Sequence, residues 1–345
     1  MRKILYGALA VIAVVGGCTA VSHVPALQSQ QIPVSAALTV PENVAIRAPA
    51  FQRGIDVDAY TYPKQDFSAA AAAVVAYVKK LHANSLSISF PFFMSSRRSS
   101  EVFASTRTPT PTELGLFIAD AERAGLYVSL RPLLSEFQIG GNRTLFRPAH
   151  MSAWFASYRR FLLPYARMAE ANKVGMFIVG AEFSNFGRAP QWNGLDRALG
   201  RVYHGRLAYS NNGTVHLSPS TGGRYAIKTV DAYPSMNRPL LSGWQAFDRK
   251  LPRGTIVSEL GIAGFNGAWR TPWRHRLAKK QLLPRVQVWW FSAACQAARA
   301  TGLRGIYFWA LPMAAKFPRT TAATPAAWAY SVGAAAIAHC FGRGK

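Results

Sequence analysis

From Phe51 onward, short apolar segments alternate with helix-like segments, and this alternation constrains the fold more than any other feature of the chain. Each apolar segment is rich in Val, Ile, Leu and aromatic residues, as expected for a strand that is buried on both faces. We predict eight strands, over residues 53–60, 85–90, 126–134, 174–183, 206–211, 229–233, 255–263 and 303–311.

Eight strand–helix units in about 290 residues predict an α/β fold, a (β/α)8 TIM barrel, and we assign residues 51–345 to it as a single domain. The main alternative is a doubly wound open sheet, but no glycine-rich phosphate-binding sequence follows the first strand. One predicted helix runs from Met151 to Asn172. We expect it to be kinked or broken at Pro164, because proline removes a helical hydrogen bond.

The amino-terminal segment predicts export. A basic start, Met1 to Lys3, precedes an apolar run that is too short to span a membrane as a mature helix. Residues 1–17 therefore form a signal peptide, and they resemble a bacterial lipoprotein signal, which is cut before a cysteine that carries the lipid. That cysteine is Cys18, and an ordinary signal with a chance cysteine is the alternative. We expect the protein to be anchored by lipid to a bacterial membrane, on its periplasmic or cell-surface side, through a flexible tether over residues 18–50 that is rich in Ser, Gln, Pro and Ala.

The chain is strongly basic, with 40 Lys and Arg against 15 Asp and Glu, a formal charge of +25. Removal of Arg2 and Lys3 with the signal leaves 38 minus 15, or +23. Such a charge favours anionic partners, such as lipid headgroups, anionic glycans or nucleic acid. The basic residues are spread and no nucleic-acid motif is present, so we expect no nucleic-acid partner. A solvated basic surface is the plainer interpretation.

Two cysteines follow Cys18, and both lie in Ala-rich, helix-like segments. They are Cys295 and Cys340. An exported protein can join such a pair in a disulfide, and two separate buried thiols are the alternative.

Glutamates end two of the predicted strands. Glu182 closes the apolar run VGMFIVGAEF, and Glu259 lies near the end of TIVSELG. A carboxylate at such a place needs a partner or a function, because burying it is costly. In a barrel the strand ends are neighbours. The other candidate strand-end residues are Asp58, Tyr60, Phe90, Arg131, Asn211, Asn212, Tyr233 and Trp309.

This combination of side chains suits a sugar site. Aromatic rings stack on sugar rings, amides and guanidinium groups bind hydroxyls, and two carboxylates cleave a glycosidic bond, with retention when they lie about 5–5.5 Å apart. Metal-binding sequences such as His-Glu-x-x-His and Cys-x-x-Cys are absent, as is the Gly-x-Ser-x-Gly of serine hydrolases. We therefore predict neither a metal nor a cofactor.

An acid/base Glu after strand four and a nucleophilic Glu after strand seven is the arrangement of clan A glycoside hydrolases. Within that clan the sequence resembles glycoside hydrolase family 113, whose characterised members are β-mannanases. The resemblance covers roughly residues 51–340. It is carried by Gly54-Ile55-Asp56, Val179 to Phe183, Ser258 to Gly261 and the region from Trp289-Trp290 to Trp309.

The resemblance implies a role for each matching residue. Glu182 would be the general acid/base, Glu259 the nucleophile, Tyr233 a hydrogen-bond donor to the nucleophile and Trp309 a platform for the sugar. Many clan A enzymes have Asn before the acid/base to hold the sugar 2-hydroxyl. This sequence has Ala181 there, which leaves that contact unassigned.

Several further residues are candidates for substrate binding. They are Arg131, Asn212, Asp58 and Tyr60, although Arg131 could instead form an ion pair with Glu182 or Glu259. Glu136 follows strand three on a loop, where a surface charge is expected. Three tryptophans on predicted loops could extend the cleft: Trp192, Trp269 and Trp273.

We therefore expect a monomeric, retaining glycosidase that acts on a β-linked polysaccharide or oligosaccharide, either mannan-like or from an envelope or exopolysaccharide. Two alternatives stay open. One is a non-catalytic glycan-binding lipoprotein, and the other is a transglycosylase that remodels an envelope glycan.

Overall fold

A computed structural model describes residues 46–136, 139–141, 143–213, 227–274, 281–314 and 328–342. The chain divides into two compact units, residues 1–42 and 43–345, and every described residue belongs to the second. The predicted signal peptide, Cys18 and the tether as far as residue 45 lie outside the described residues.

Eight parallel strands pair in chain order and close into a barrel, so the predicted (β/α)8 fold is confirmed. The strands are β1 (Gln52–Asp58), β2 (Ser85–Phe92), β3 (Tyr127–Leu134), β4 (Met176–Ala181), β5 (Arg206–Asn212), β6 (Ile227–Asp231), β7 (Ile256–Leu260) and β8 (Gly305–Pro312). The helices of the described residues are α1 (Phe67–Lys80), α2 (Pro111–Arg123), α3 (Met151–Ala171), α4 (Gln191–Leu199), α5 (Leu241–Asp248), α6 (Arg285–Ala300) and α7 (Val332–Gly342). Single 3-10 turns cover Arg143–Leu145 and Ala268–Arg270.

Helix α3 is continuous through Pro164, so of the two expected outcomes the break is wrong, whereas a kink at this residue stays a prediction. Proline costs this helix one hydrogen bond. The helix nevertheless buries a long apolar face that includes Tyr158, Leu162 and Tyr165, and this packing outweighs the local loss.

The barrel interior changes character along its axis. One layer of buried, mostly apolar side chains contains Tyr127, Met176, Ile178, Ala208, Ile256 and Tyr307. Position 54, beside this layer, has room only for glycine, because a Cβ atom there would lie 2.1 Å from the ring of Tyr307. Nearer the carboxyl ends of the strands the buried residues become polar, and they include Asp56, Arg131, Ser210 and Asp231. Buried polar groups are costly unless they form ion pairs and hydrogen bonds. Arg131 of this layer forms such an ion pair with Glu259.

Register shifts interrupt the strand pairing close to the two candidate glutamates. They fall between Ile178 and Ala181 on β4, and between Val257 and Leu260 on β7. Irregularities of this kind turn side chains away from the regular alternation of a strand. These two strands end earlier than predicted, with β4 stopping at Ala181, one residue before Glu182, and β7 stopping at Leu260.

Cys295 on α6 and Cys340 on α7 form a disulfide, with their Cα atoms 6.1 Å apart. The bond joins neighbouring helices of the outer ring and lies among buried residues. Within the described part of the chain, no helix is both long enough and apolar enough to cross a membrane.

Candidate active site

Glu182 and Glu259 line one cavity of about 280 Å³ at the carboxyl ends of the strands. The cavity is compact, just below the range of about 300–1,000 Å³ usual for ligand sites. Its described lining residues come from five different strand ends or loops: Glu136, Arg143, Glu182, Asn212, Tyr233, Glu259 and Trp273.

One hydrogen-bond donor and one cation lie against the carboxyl group of Glu259. The Tyr233 hydroxyl donates a hydrogen bond of 2.6 Å to Oε1, and Nη2 of Arg131 lies 2.8 Å from Oε2. Burial and the neighbouring charge of Glu259 raise the pKa of Tyr233 well above its usual value, so the phenol keeps its proton and remains a donor. These contacts fix the carboxyl group and stabilise its negative charge.

Arg131 also forms an ion pair with a second, fully buried carboxyl group. Its Nη2 lies 2.6 Å from Oδ2 of Asp231, and both side chains are fully buried. Asp231 accepts two further hydrogen bonds on Oδ1, from Ser210 at 2.6 Å and from Ser258 at 3.1 Å. Burial lowers the pKa of Arg131, but the carboxylates around it, Asp231 first, raise it by more, so the guanidinium stays charged.

Glu182 lies in a different environment. Its backbone is left-handed, with φ of 58°, a conformation that costs a non-glycine residue about 1–2 kcal/mol. Two hydrogen bonds hold this turn: the amide of Glu182 donates to the carbonyl of Ser210 at 2.9 Å, and the amide of Phe183 donates to the Tyr209 hydroxyl at 3.0 Å. Phe183 is buried among aromatic rings, with Trp154 at 5.7 Å between centroids, which anchors the chain just after the glutamate.

Burial raises the pKa of Glu182 to about 8, and the charges of Asp231 and Glu259 add to the rise while Arg143 opposes it. The nearest described cation is Arg143, whose Nε lies 3.6 Å from Glu182 Oε2 but 2.9 Å from Glu136 Oε1. A raised pKa favours the protonated form of this carboxyl group, which is the form that a general acid requires.

The other predicted residues fall into two groups. Tyr233 and Asn212 line the cavity with the two glutamates. Arg131, Trp309, Asp58 and Tyr60 lie beside it and are not among its lining residues. Arg131 makes the ion pair with Glu259 that the sequence left as one of two possibilities, and the Trp309 ring lies 5.9 Å from its guanidinium carbon. Burial raises the pKa of Asp58 to about 7, and its electrostatic neighbours are Arg143, Glu259 and Arg107.

Sequence reasoning missed or misplaced several site residues. Glu136 is not a mere surface charge, because it lines the cavity and pairs with Arg143. Trp192 is fully buried on α4, so the expectation that it extends the cleft is wrong. Trp273 does line the cavity. Asp231 could have been predicted from the sequence, because it ends a buried strand as the two glutamates do. Arg143 could not, because it lies on a loop turn that has no recognisable sequence pattern.

Among the described residues, no group of three or more His, Cys, Asp or Glu side chains is placed to hold a metal ion. The site as described offers a carboxyl group whose pKa is raised, a second carboxyl group that has a tyrosine donor and an arginine beside it, and an amide. This set matches the two-carboxylate chemistry of glycosidic bond cleavage.

Comparison with known families decides between a catalytic and a non-catalytic protein. The model of Glycoside Hydrolase Family 113 matches residues 59–331. The chain belongs to glycoside hydrolase family 113. It is therefore a glycoside hydrolase, and the alternative of a non-catalytic binding protein is set aside.

Solved structures of family 113 share the fold of this member. A family 113 β-1,4-mannanase has a TM-score of 0.74 at 16% identity, over 86% of this chain and 100% of the other. The family 113 β-mannanase from Alicyclobacillus acidocaldarius has a TM-score of 0.72 at 18% identity, over 87% and 99%. A family 5 protein from Streptomyces cattleya, solved with GlcNAc, has a TM-score of 0.52 at 15% identity, over 86% and 80%. A comparison with curated proteins finds no match.

Proposed function

We propose that this family 113 enzyme hydrolyses a β-linked, mannan-like glycan with retention of configuration, using Glu182 as general acid/base and Glu259 as nucleophile. The observation that carries the proposal is the cavity that Glu182 and Glu259 share. In it burial raises the pKa of Glu182, while Glu259 accepts a hydrogen bond from Tyr233 and lies beside the guanidinium of Arg131.

In the first step Glu259 attacks the anomeric carbon and Glu182 gives its proton to the leaving glycosidic oxygen. The carbon–oxygen bond of the glycan breaks as an ester bond to Glu259 forms. The ester no longer carries the charge of Glu259, which is one of the charges that raise the pKa of Glu182. The pKa of Glu182 therefore falls, and in the second step it takes a proton from the water that cleaves the ester.

Mannan is the first substrate to test because the solved family 113 relatives are described as β-1,4-mannanases and β-mannanases. Ala181 cannot hold a sugar 2-hydroxyl as asparagine would. Asn212 lines the same cavity and provides an amide within it, so we assign that hydroxyl contact to Asn212.

The decisive experiment follows the hydrolysis of a β-1,4-mannan oligosaccharide by proton NMR. Retention predicts that the β-anomer of the new reducing end appears first and then equilibrates. The Glu259→Gln variant, which keeps the shape of the side chain, is the inactive control. An α-anomer as first product would contradict the mechanism, and no cleavage of β-mannans would contradict the substrate. Products longer than the starting chain would identify transglycosylation.

A further inference from the structure

A second and larger cavity, of about 820 Å³, opens beside Glu182. It shares Glu182 and Asn212 with the smaller cavity but does not include Glu259. Its walls come from the loop after β3, the start of α3, the segment after β4 and the end of β5. Its volume falls within the range of about 300–1,000 Å³ found for ligand clefts.

The position of Glu182 indicates what this larger cavity holds. A general acid protonates the oxygen of the leaving group, so the leaving part of the glycan lies on its side of the scissile bond. The nucleophile contacts the sugar that stays behind. If the proposed roles of Glu182 and Glu259 are correct, the smaller cavity takes the glycone and the larger cavity takes the leaving-group sugars.

The larger cavity has an excess of positive charge. Arg147 and Arg188 line it, both side chains are exposed, and neither forms an ion pair with any residue that the structure describes. Among its described lining residues Glu182 has the only carboxyl group. Two guanidinium groups without a carboxylate partner in one cleft attract anions, and arginine pairs with carboxylates in a bidentate manner.

The charge of the whole chain has the same sign, with 40 basic and 15 acidic residues. A large net positive charge raises the local concentration of an anionic polymer around the protein. A neutral mannan would gain nothing from this field. The charge of the cleft and the charge of the surface therefore favour the same kind of ligand.

We propose that the leaving-group side of the natural substrate carries carboxylate groups, and that Arg147 and Arg188 bind them, so that the enzyme acts on an acidic β-linked glycan. This inference rests on the proposed function, because the roles of Glu182 and Glu259 decide which cavity receives the leaving-group sugars of the glycan. It names a substrate class that neither the family nor the fold specifies.

The test uses two β-1,4-linked tetrasaccharides that share two glycone mannose units. Their two leaving units are mannose in one and mannuronate in the other. At an ionic strength of about 20 mM we expect kcat/KM to be about 10-fold higher for the acidic chain, and less so at about 0.5 M, where the Debye length is only a few ångströms. The ratio of the two values does not depend on the folded fraction of a preparation.

The double variant Arg147→Ala/Arg188→Ala should bring this ratio close to one, and the corresponding Arg→Lys variant should retain part of it. Arg249→Ala is the matched control, because Arg249 is an exposed arginine at the C-terminal end of α5, on the opposite end of the barrel. It should keep the full preference. A ratio of one or less in the unmodified enzyme, or an equal fall in the control, would overturn the inference.

Binding to Glu259→Gln, measured by calorimetry with the same two tetrasaccharides, separates this inference from the proposed function. Cleavage of the neutral chain without any preference for the acidic one would refute the acidic substrate and leave the function intact. Tighter, arginine-dependent binding of the acidic chain without cleavage of either chain would refute the function and keep the acid-binding cleft. Neither cleavage nor discrimination would refute both.

Discussion

Two glutamates of the same chemistry have opposite surroundings in this barrel. Glu182 is partly buried, and its nearest described cation, Arg143, lies closer to Glu136. Glu259 accepts a hydrogen bond from Tyr233 and faces Arg131. Such differences separate a proton donor from a nucleophile within one cleft. The roles of the two residues can therefore be tested one at a time.

Substitution of each glutamate should give a distinct phenotype. Glu259→Ala removes the nucleophile, so hydrolysis of every substrate should nearly vanish. Glu182→Ala should lose about 10²–10⁴-fold on a glycan but much less in the first step with an aryl glycoside, whose leaving group needs little protonation. The measurement is release of the aryl alcohol by each variant.

Azide supplies the control for this comparison. It needs no base, so it should restore turnover to Glu182→Ala and yield a β-glycosyl azide, while leaving Glu259→Ala inactive. Equal and mild losses in both variants, with no effect of azide on either, would show that neither glutamate is catalytic.

The pH dependence should report the proton on Glu182. Its pKa is raised to about 8, so the acid is protonated below that pH and kcat/KM should fall as the pH rises through it. Arg143 is the cation that holds this pKa down. Arg143→Met should therefore move the alkaline limb of the profile to higher pH, whereas Arg249→Met should leave it in place. A limb that moves to lower pH in Arg143→Met would contradict the assignment.

At the residue scale, the sequence was informative where a strand end fixes the position of a side chain. Glu182, Glu259 and Tyr233 were predictable because the barrel brings strand ends together, whatever their separation along the chain. Arg143 was not, since its place depends on how a loop folds over the site. Trp192 was misplaced because a single aromatic residue looks the same on a buried helix and on a loop.

At the scale of elements, apolar segments predicted the number and order of the strands but not where they stop. Hydrophobicity continues past the last paired residue of β7, through Ile262 and Ala263, because these residues pack in the core without pairing. The register shift on β7 depends on contacts with β8, which are distant in sequence. Helix α3 shows the same limit, since it continues past Pro164, where the local effect of proline alone allowed a break.

The disulfide between α6 and α7 should contribute to stability and not to catalysis. It closes a loop with a sequence separation of 45 residues. Loss of such a bond costs about 4 kcal/mol in the chain-entropy model and often less in practice. We expect Cys295→Ala/Cys340→Ala to lower the free energy of unfolding in urea while kcat/KM changes little. A reductant should destabilise the unmodified enzyme and have no effect on the variant, and equal stability of the two oxidised proteins would contradict this role.

At the scale of the whole molecule, the catalytic barrel and the amino-terminal segment are predicted from different features of the sequence. The barrel follows from repeated alternation along about 290 residues, which leaves few other folds open. The basic residues are also distributed along the whole chain, which has a net charge of +25. Composition alone could not show that two arginines line a cleft beside Glu182, because that placement depends on which loops meet there.

We propose that the mature enzyme is held at a bacterial membrane by a lipid on Cys18. The apolar run before this cysteine and the Ser-, Gln- and Pro-rich segment after it motivate the proposal. Expressed in a bacterium, the full chain should sediment with membranes and dissolve in detergent.

Cys18→Ser should move the enzyme to the soluble fraction without a change in kcat/KM on a soluble oligosaccharide, because the active site lies in the barrel. Cys295→Ala/Cys340→Ala is the matched control, since it removes cysteines that play no part in lipid attachment, and it should stay with the membrane. Washing with about 1 M salt distinguishes a lipid from the basic surface, because salt releases a protein that is held by charge alone. Release of the unmodified enzyme by salt, or membrane binding by Cys18→Ser that resists salt, would refute the lipid anchor.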